Sequence, residues 1–168
     1  GSKTEAETQK RIDAYDFSTE ETPYGPVIQH KDLGPDQAPQ EFAHPFALLW
    51  FLCAHSEDFF HFLKGNYSAQ NGSAMEEGIP CGRICIYADE TTPGNVHRPD
   101  KGRNFTGIYW TFVDFPNWYR SGSAGWFPFA FLHHKVLSNI VGGISAFMVF
   151  VLQVFFGAAG LPDDLAYK

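Results

Sequence analysis

The sequence predicts a mixed α/β (α+β) domain in which an N-terminal helix precedes an antiparallel three-strand meander followed by a long apolar helix. Three observations predict it. Apolar residues recur at helical spacing after His44-Pro45, three short β-rich runs separated by turn residues lie between Arg83 and Leu132, and Val136 to Leu161 holds no charged residue. With 168 residues and 44% hydrophobic content, the chain suits one domain plus an arm and can build a core. Its 17 Phe and 4 Trp mean that much of the burial comes from a few large side chains.

Residues 1–22 are polar, rich in Glu, Thr and Lys and without apolar periodicity, so a flexible polar arm is expected there. Residues 23–40 read as a linker: Pro and Gly break any long element, and Val27 with Ile28 forms one short extended piece. The single α/β domain is expected over 41–161, with a C-terminal tail at 162–168. Its first helix opens at Pro45, favoured at a first helical position, and continues through Phe46, Leu49, Trp50 and Cys53. It restarts at Ser56, an N-cap followed by Glu57 and Asp58, and runs to a stop at Gly65, with Asn66 to Pro80 as a polar loop.

Arg83 to Asp89 is the first strand, bounded by Gly82 and the turn residues Thr91-Thr92-Pro93-Gly94. Alternation puts Ile84, Ile86 and Ala88 on one face and Cys85, Tyr87 and Asp89 on the other. Phe105 to Phe115 and Trp126 to Leu132 follow as second and third strands, with the turn-rich Asn117 to Gly125 between them. Pro128 has no N–H for a ladder, which sends the third strand to an edge or puts a bulge in it.

The 26 uncharged residues from Val136 to Leu161 are long enough to span a bilayer, so a membrane-anchored protein using 136–161 is one reading. The other is a core helix packed on the sheet: Ser138, Gly142, Ser145 and Gln153 fall near one helical face and Ile140, Ile144, Phe147 and Val151 on another. Gly142-Gly143 suits close approach to a neighbour in either setting.

The net charge of -7 excludes a chain that coats nucleic acid through its overall field, leaving only a local basic patch for that role. Cys53, Cys81 and Cys85 are a sparse, odd set that fits a reducing compartment, hence an intracellular setting, nuclear or cytoplasmic. Gly1-Ser2, without Met and without a basic-then-apolar leader, reads as a cloning scar or the start of an excised fragment.

Asp89 and Glu90 put carboxylates at a strand end beside a loop, where a hard cation such as Mg²⁺ or Mn²⁺ is held; a turn-capping acid is the structural alternative. Asp114 joins them if the strands pair in suitable register. In the next loop Arg98, Lys101 and Arg103 offer a phosphate contact, or simply a solvated surface. Cys81 and Cys85 have the wrong spacing for a paired zinc knuckle, and His133-His134 lie on opposite faces of a strand. No Gly-rich phosphate loop, Gly-x-Ser-x-Gly elbow or His-Glu-x-x-His helix occurs. A non-catalytic alternative places a protein-binding surface on Trp118, Tyr119 and Trp126.

Pro45-Phe-Ala-Leu-Leu-Trp50, Ile86-Tyr-Ala-Asp-Glu-Thr-Thr-Pro-Gly-Asn95, Gly107-Ile-Tyr-Trp-Thr-Phe112, Gly142-Gly-Ile-Ser145 and Phe155-Phe-Gly157 resemble a large repeat-rich protein family of dinoflagellate genomes, over roughly Tyr24 to Gly157. That family brings no assigned reaction, and its copy number implies mobile-element ancestry. The order of a strand ending in Asp, two antiparallel strands and a helix also resembles the first half of ribonuclease H-like transposase domains. That resemblance implies Asp89 as the first catalytic carboxylate, holding metal ions that activate water for phosphoryl transfer. The later acidic ligands of such domains have no counterpart before Lys168, which implies a catalytically incomplete, transposase-derived fragment.

Overall fold

The computed structural model describes residues 20–34, 38–71, 83–91 and 104–157. The chain enters through a tight antiparallel pair, β1 (Glu21–Thr22) and β2 (Gly25–Pro26). Thr22 Oγ1 donates to the Gly25 carbonyl at 2.6 Å, and Gly25 sits at a φ of 84° that disfavours other residues. A second antiparallel pair follows, β3 (Ile28–Lys31) with β4 (Gln40–Ala43). The linker expected over 23–40 is therefore partly strand. The reason is Val27, which is fully buried in the main core and whose carbonyl accepts from His44 N at 2.9 Å, extending the pair.

Helix α1 (Pro45–His55) begins where Pro45 predicts, with His44 as its cap, and buries Pro45, Ala47, Leu48 and Phe51. It ends because Ser56 turns to an extended conformation, and Ser56 Oγ then accepts from Phe59 N at 3.2 Å to start α2 (Glu57–Asn71). The expected stop at Gly65 does not occur. Gly65 lacks the positive φ of a C-terminal glycine cap. Asn66 Nδ2 donates back to the Phe62 carbonyl at 2.8 Å, and Phe62 and Leu63 pack on the core, offsetting the roughly 1 kcal/mol that a helical glycine costs. The polar loop expected from Asn66 thus starts as helix, and its residues 72–80 lie outside the described set.

The main sheet has the order β5-β6-β7, all antiparallel: β5 (Ile84–Thr91), β6 (Phe105–Phe112) and β7 (Phe127–His133). Ile86 faces Trp110 and Trp110 faces Phe127, while Tyr87 faces Tyr109 and Asp89 faces Gly107. The two faces of the sheet are therefore distinct: Ile108 and Trp110 point into the core, and Gly107 and Tyr109 to the other side. A short helix α3 (Asn117–Arg120) and a 3-10 turn at Ser123–Gly125 connect β6 to β7.

β7 is an edge of this sheet, and its ladder shifts register between Ile108 and Tyr109, leaving Phe129 as the extra residue next to Pro128. The shift changes the alternation phase, so Phe127 and Phe129 point inward before it and Ala130 and Leu132 also point inward after it. β4 packs on this strand: the Phe42 and Phe129 rings stack at 5.3 Å, and Gln40 Nε2 donates to the Phe131 carbonyl at 3.2 Å.

The uncharged run splits into α4 (His134–Asn139) and α5 (Gly143–Phe156). Gly142 and Gly143 take φ values of 88° and 58°, left-handed conformations that end one helix and start another. Over 136–157, the described part of the run, neither expected single helix, spanning or buried, forms, and no helix among the described residues is long and apolar enough to cross a membrane. α5 lies on the inner face of the sheet, with Phe147 and Val151 buried and Phe155 against Trp110 at 5.3 Å. Helices and antiparallel sheets thus share one core centred on Trp110, Phe129, Phe147, Ile108 and Leu132.

Candidate functional site

The sheet register decides what the acidic residues can do together. Asp89 lies on the outer face of β5, where its charge, with partial desolvation of the ring hydroxyl, holds the Tyr87 phenol above its ordinary pKa. Glu90 turns to the opposite face and accepts from Asn104 Nδ2 at 2.7 Å. Asp114 follows the far end of β6, where Arg83 clasps it through Nε at 3.1 Å and through its terminal nitrogen. From Gly107, opposite Asp89, the chain runs on to Asp114, a separation on the order of 20 Å at strand rise.

The expected joining of Asp114 to Asp89 and Glu90 therefore fails, because the strands pair with these residues at opposite ends. No group of three His, Cys, Asp or Glu residues suited to a metal occurs among the described residues. Arg98, Lys101 and Arg103 lie outside the described residues, as does Cys81. Cys85 is exposed. His133 Nδ1 is taken up by the Lys135 amide at 3.2 Å, as a cap for α4.

Of the three aromatics expected at a surface, only Trp118 is strongly exposed, at 70%. Tyr119 packs between Phe62 and Phe115 at 4.6 and 5.1 Å, and burial raises its phenol pKa. Trp126 Nε1 donates to the Arg120 carbonyl at 2.9 Å, which fixes the indole beside Tyr87 with ring centroids 6.0 Å apart.

A larger feature lies between α1, α2 and the end of α5. An open apolar groove of about 680 Å³ is walled by Phe46, Leu49, Trp50 and Cys53 of α1, by Phe60, Leu63, Lys64 and Tyr67 of α2, and by Phe155 and Phe156. Ile84, Trp110 and Phe112 form its floor, and Tyr24 stands at one end. Tyr24, Phe46, Trp50, Phe60 and Phe156 are all exposed in it. Trp110 is 1% exposed, and its Nε1 has no acceptor among the described residues. Lys64 rests on the Phe60 ring at 5.9 Å at the rim, and burial pushes the Cys53 thiol up.

Sequence periodicity gives Phe46, Leu49, Trp50 and Cys53 helical spacing in α1 and misses this groove. The signal was present, because Pro45 to Cys53 is apolar on every side, and such a helix cannot bury all its surface against one sheet. A smaller pocket of about 420 Å³ lies on the outer face of the sheet, formed by Tyr87, Tyr109, Ser123 and Trp126. Comparison with known proteins finds no family model that matches the chain, and no similar curated protein or solved structure.

Proposed function

We propose that this chain is a non-catalytic interaction domain that receives the apolar face of a partner helix in the groove between α1, α2 and α5. The observation that carries this reading is the clustering of exposed rings. Of the ten large exposed hydrophobic residues among the described residues, five (Tyr24, Phe46, Trp50, Phe60 and Phe156) line this one groove. Scattered exposed apolar residues need no explanation, whereas a contiguous set rimmed by a polar group marks a binding surface. A groove between helices with a volume of about 680 Å³ accommodates a few anchoring side chains at helical spacing. Lys64 at the rim favours an acidic residue beside the partner's apolar stripe.

The test is titration of an amphipathic helical peptide, apolar on one face and acidic on the flank, followed by tryptophan fluorescence. Trp50→Ser and Phe60→Ser should each weaken binding by tenfold or more, about 1.4 kcal/mol, without lowering the unfolding midpoint. Equal affinity in both variants would remove the groove from the interaction.

A second reading rests on Asp89, held near the end of a β-strand on an outward face. It is a partial ribonuclease H-like, transposase-derived domain, catalytically incomplete and intracellular, in which Asp89 contacts Mg²⁺ or Mn²⁺ while Arg98, Lys101 and Arg103 meet nucleic acid. Paramagnetic broadening by Mn²⁺ centred on Ala88 to Thr91 and lost in Asp89→Asn supports that ancestry. Broadening that survives the substitution sinks it.

A further inference from the structure

We propose that Tyr87, Tyr109 and Trp126 form an aromatic cage for a trimethylammonium group, on the face of the sheet opposite the groove. The pocket of about 420 Å³ is walled by these three rings, with Ser123 at its edge. Such rings attract a cation through the negative potential of their faces. The walls are set at a steep angle: the Tyr87 and Trp126 planes meet at 60°.

Each ring is held independently of any ligand. The Trp126 indole is pinned by its bond to the Arg120 carbonyl. Tyr109 lies over Gly107, where a Cβ would come within 2.7 Å of its ring, and meets Phe131 edge-on at 5.7 Å. Gly107 therefore makes room for Tyr109 to lie flat along the sheet. Tyr87 meets the Trp126 ring at 6.0 Å, and the Asp89 carboxylate on the same strand face places a negative charge beside the cage.

The chemistry selects a methylated cation. A bare ammonium is strongly hydrated and needs acceptors for its N–H groups, and the pocket walls are mostly aromatic. A metal ion needs several oxygen ligands, and among the described residues Asp89 stands on this face without a group of three that could hold one. A trimethylammonium group has no N–H to satisfy and presents a diffuse charge to the rings. Its approach is aided by the net charge of -7. Among the described residues, the chain's own ring-bound cations are Lys31 over Phe150 and Lys64 over Phe60, neither of them at this pocket.

The experiment titrates the full chain with choline, with a short trimethyllysine peptide and with the neutral carbon isostere of choline, reading the Trp126 indole N–H resonance. Saturable binding of either cation is expected, with the neutral isostere about tenfold weaker or more. Choline binding as well as the peptide points to a free quaternary amine, and a much tighter peptide points to a methylated protein side chain. Tyr87→Leu should abolish the shift and Asp89→Asn should weaken it several-fold. Tyr87 is half exposed, so its replacement leaves the core filled, and an unchanged unfolding midpoint verifies this. Equal binding of the neutral isostere, no saturation by either cation, or cation binding indifferent to Tyr87→Leu overturns the proposal.

Discussion

His44 joins the β3–β4 pair to α1, and its chemistry makes the fold sensitive to acid. Its Nδ1 accepts from Ala47 N at 3.4 Å as the helix cap, a role that requires the neutral ring, and burial lowers its pKa from 6.5. Because the folded state resists protonation, the stability is present above the ordinary histidine value and is lost as pH falls through the lowered one. The urea midpoint should therefore fall on acidification below about pH 6.5, with a cap contribution of about 1 kcal/mol or less. His44→Asn keeps a capping acceptor without the titration, and an equally steep acid loss in that variant would assign it to another group. Single residues were the least legible scale in the sequence. Alternation puts Asp89 on an outward face, but it says nothing about Asp114, whose place depends on a register that only the paired strands define. Likewise Tyr119 and Trp126 look like surface aromatics until the α3 turn folds them against Phe115 and the Arg120 carbonyl.

At the level of elements, local chemistry was readable where a residue removes an option and misleading where packing outweighs propensity. Pro45 marks the start of α1, and Pro128 marks a strand that is both an edge and bulged, because a missing N–H cannot be compensated. Gly65 looked like a stop and is helical, since its cost is small beside the packing of Phe62 and Leu63. Gly142-Gly143 looked like a place of close approach and is a break, because both residues adopt left-handed conformations. Gly142→Ala forces a Cβ into that conformation and to 3.1 Å from Ala146 Cβ. It should destabilise the chain by about 1–2 kcal/mol in a denaturant titration. An unchanged midpoint would mean that α4 and α5 can merge without loss.

For the whole molecule, the abundance of aromatics proved informative in kind but not in location. Trp110, Phe129 and Phe147 fill the core, while other rings are left exposed in the groove and on the outer sheet face. Hydrophobicity alone predicts burial for all of them, whereas the fold has too little interior to hold an α1 that is apolar on every side. The two faces of the sheet thus acquire different chemistry: Trp110 floors an apolar groove, and the adjacent Tyr109 walls a polar-edged aromatic pocket. Mapping of backbone amide shifts on addition of the amphipathic helical peptide tests the groove most directly. Changes concentrated on Phe46, Trp50, Phe60 and Phe156, with the outer-face residues Tyr87 and Tyr109 unmoved, are the predicted result. Shifts centred on the outer face, or none at saturating peptide, would contradict it.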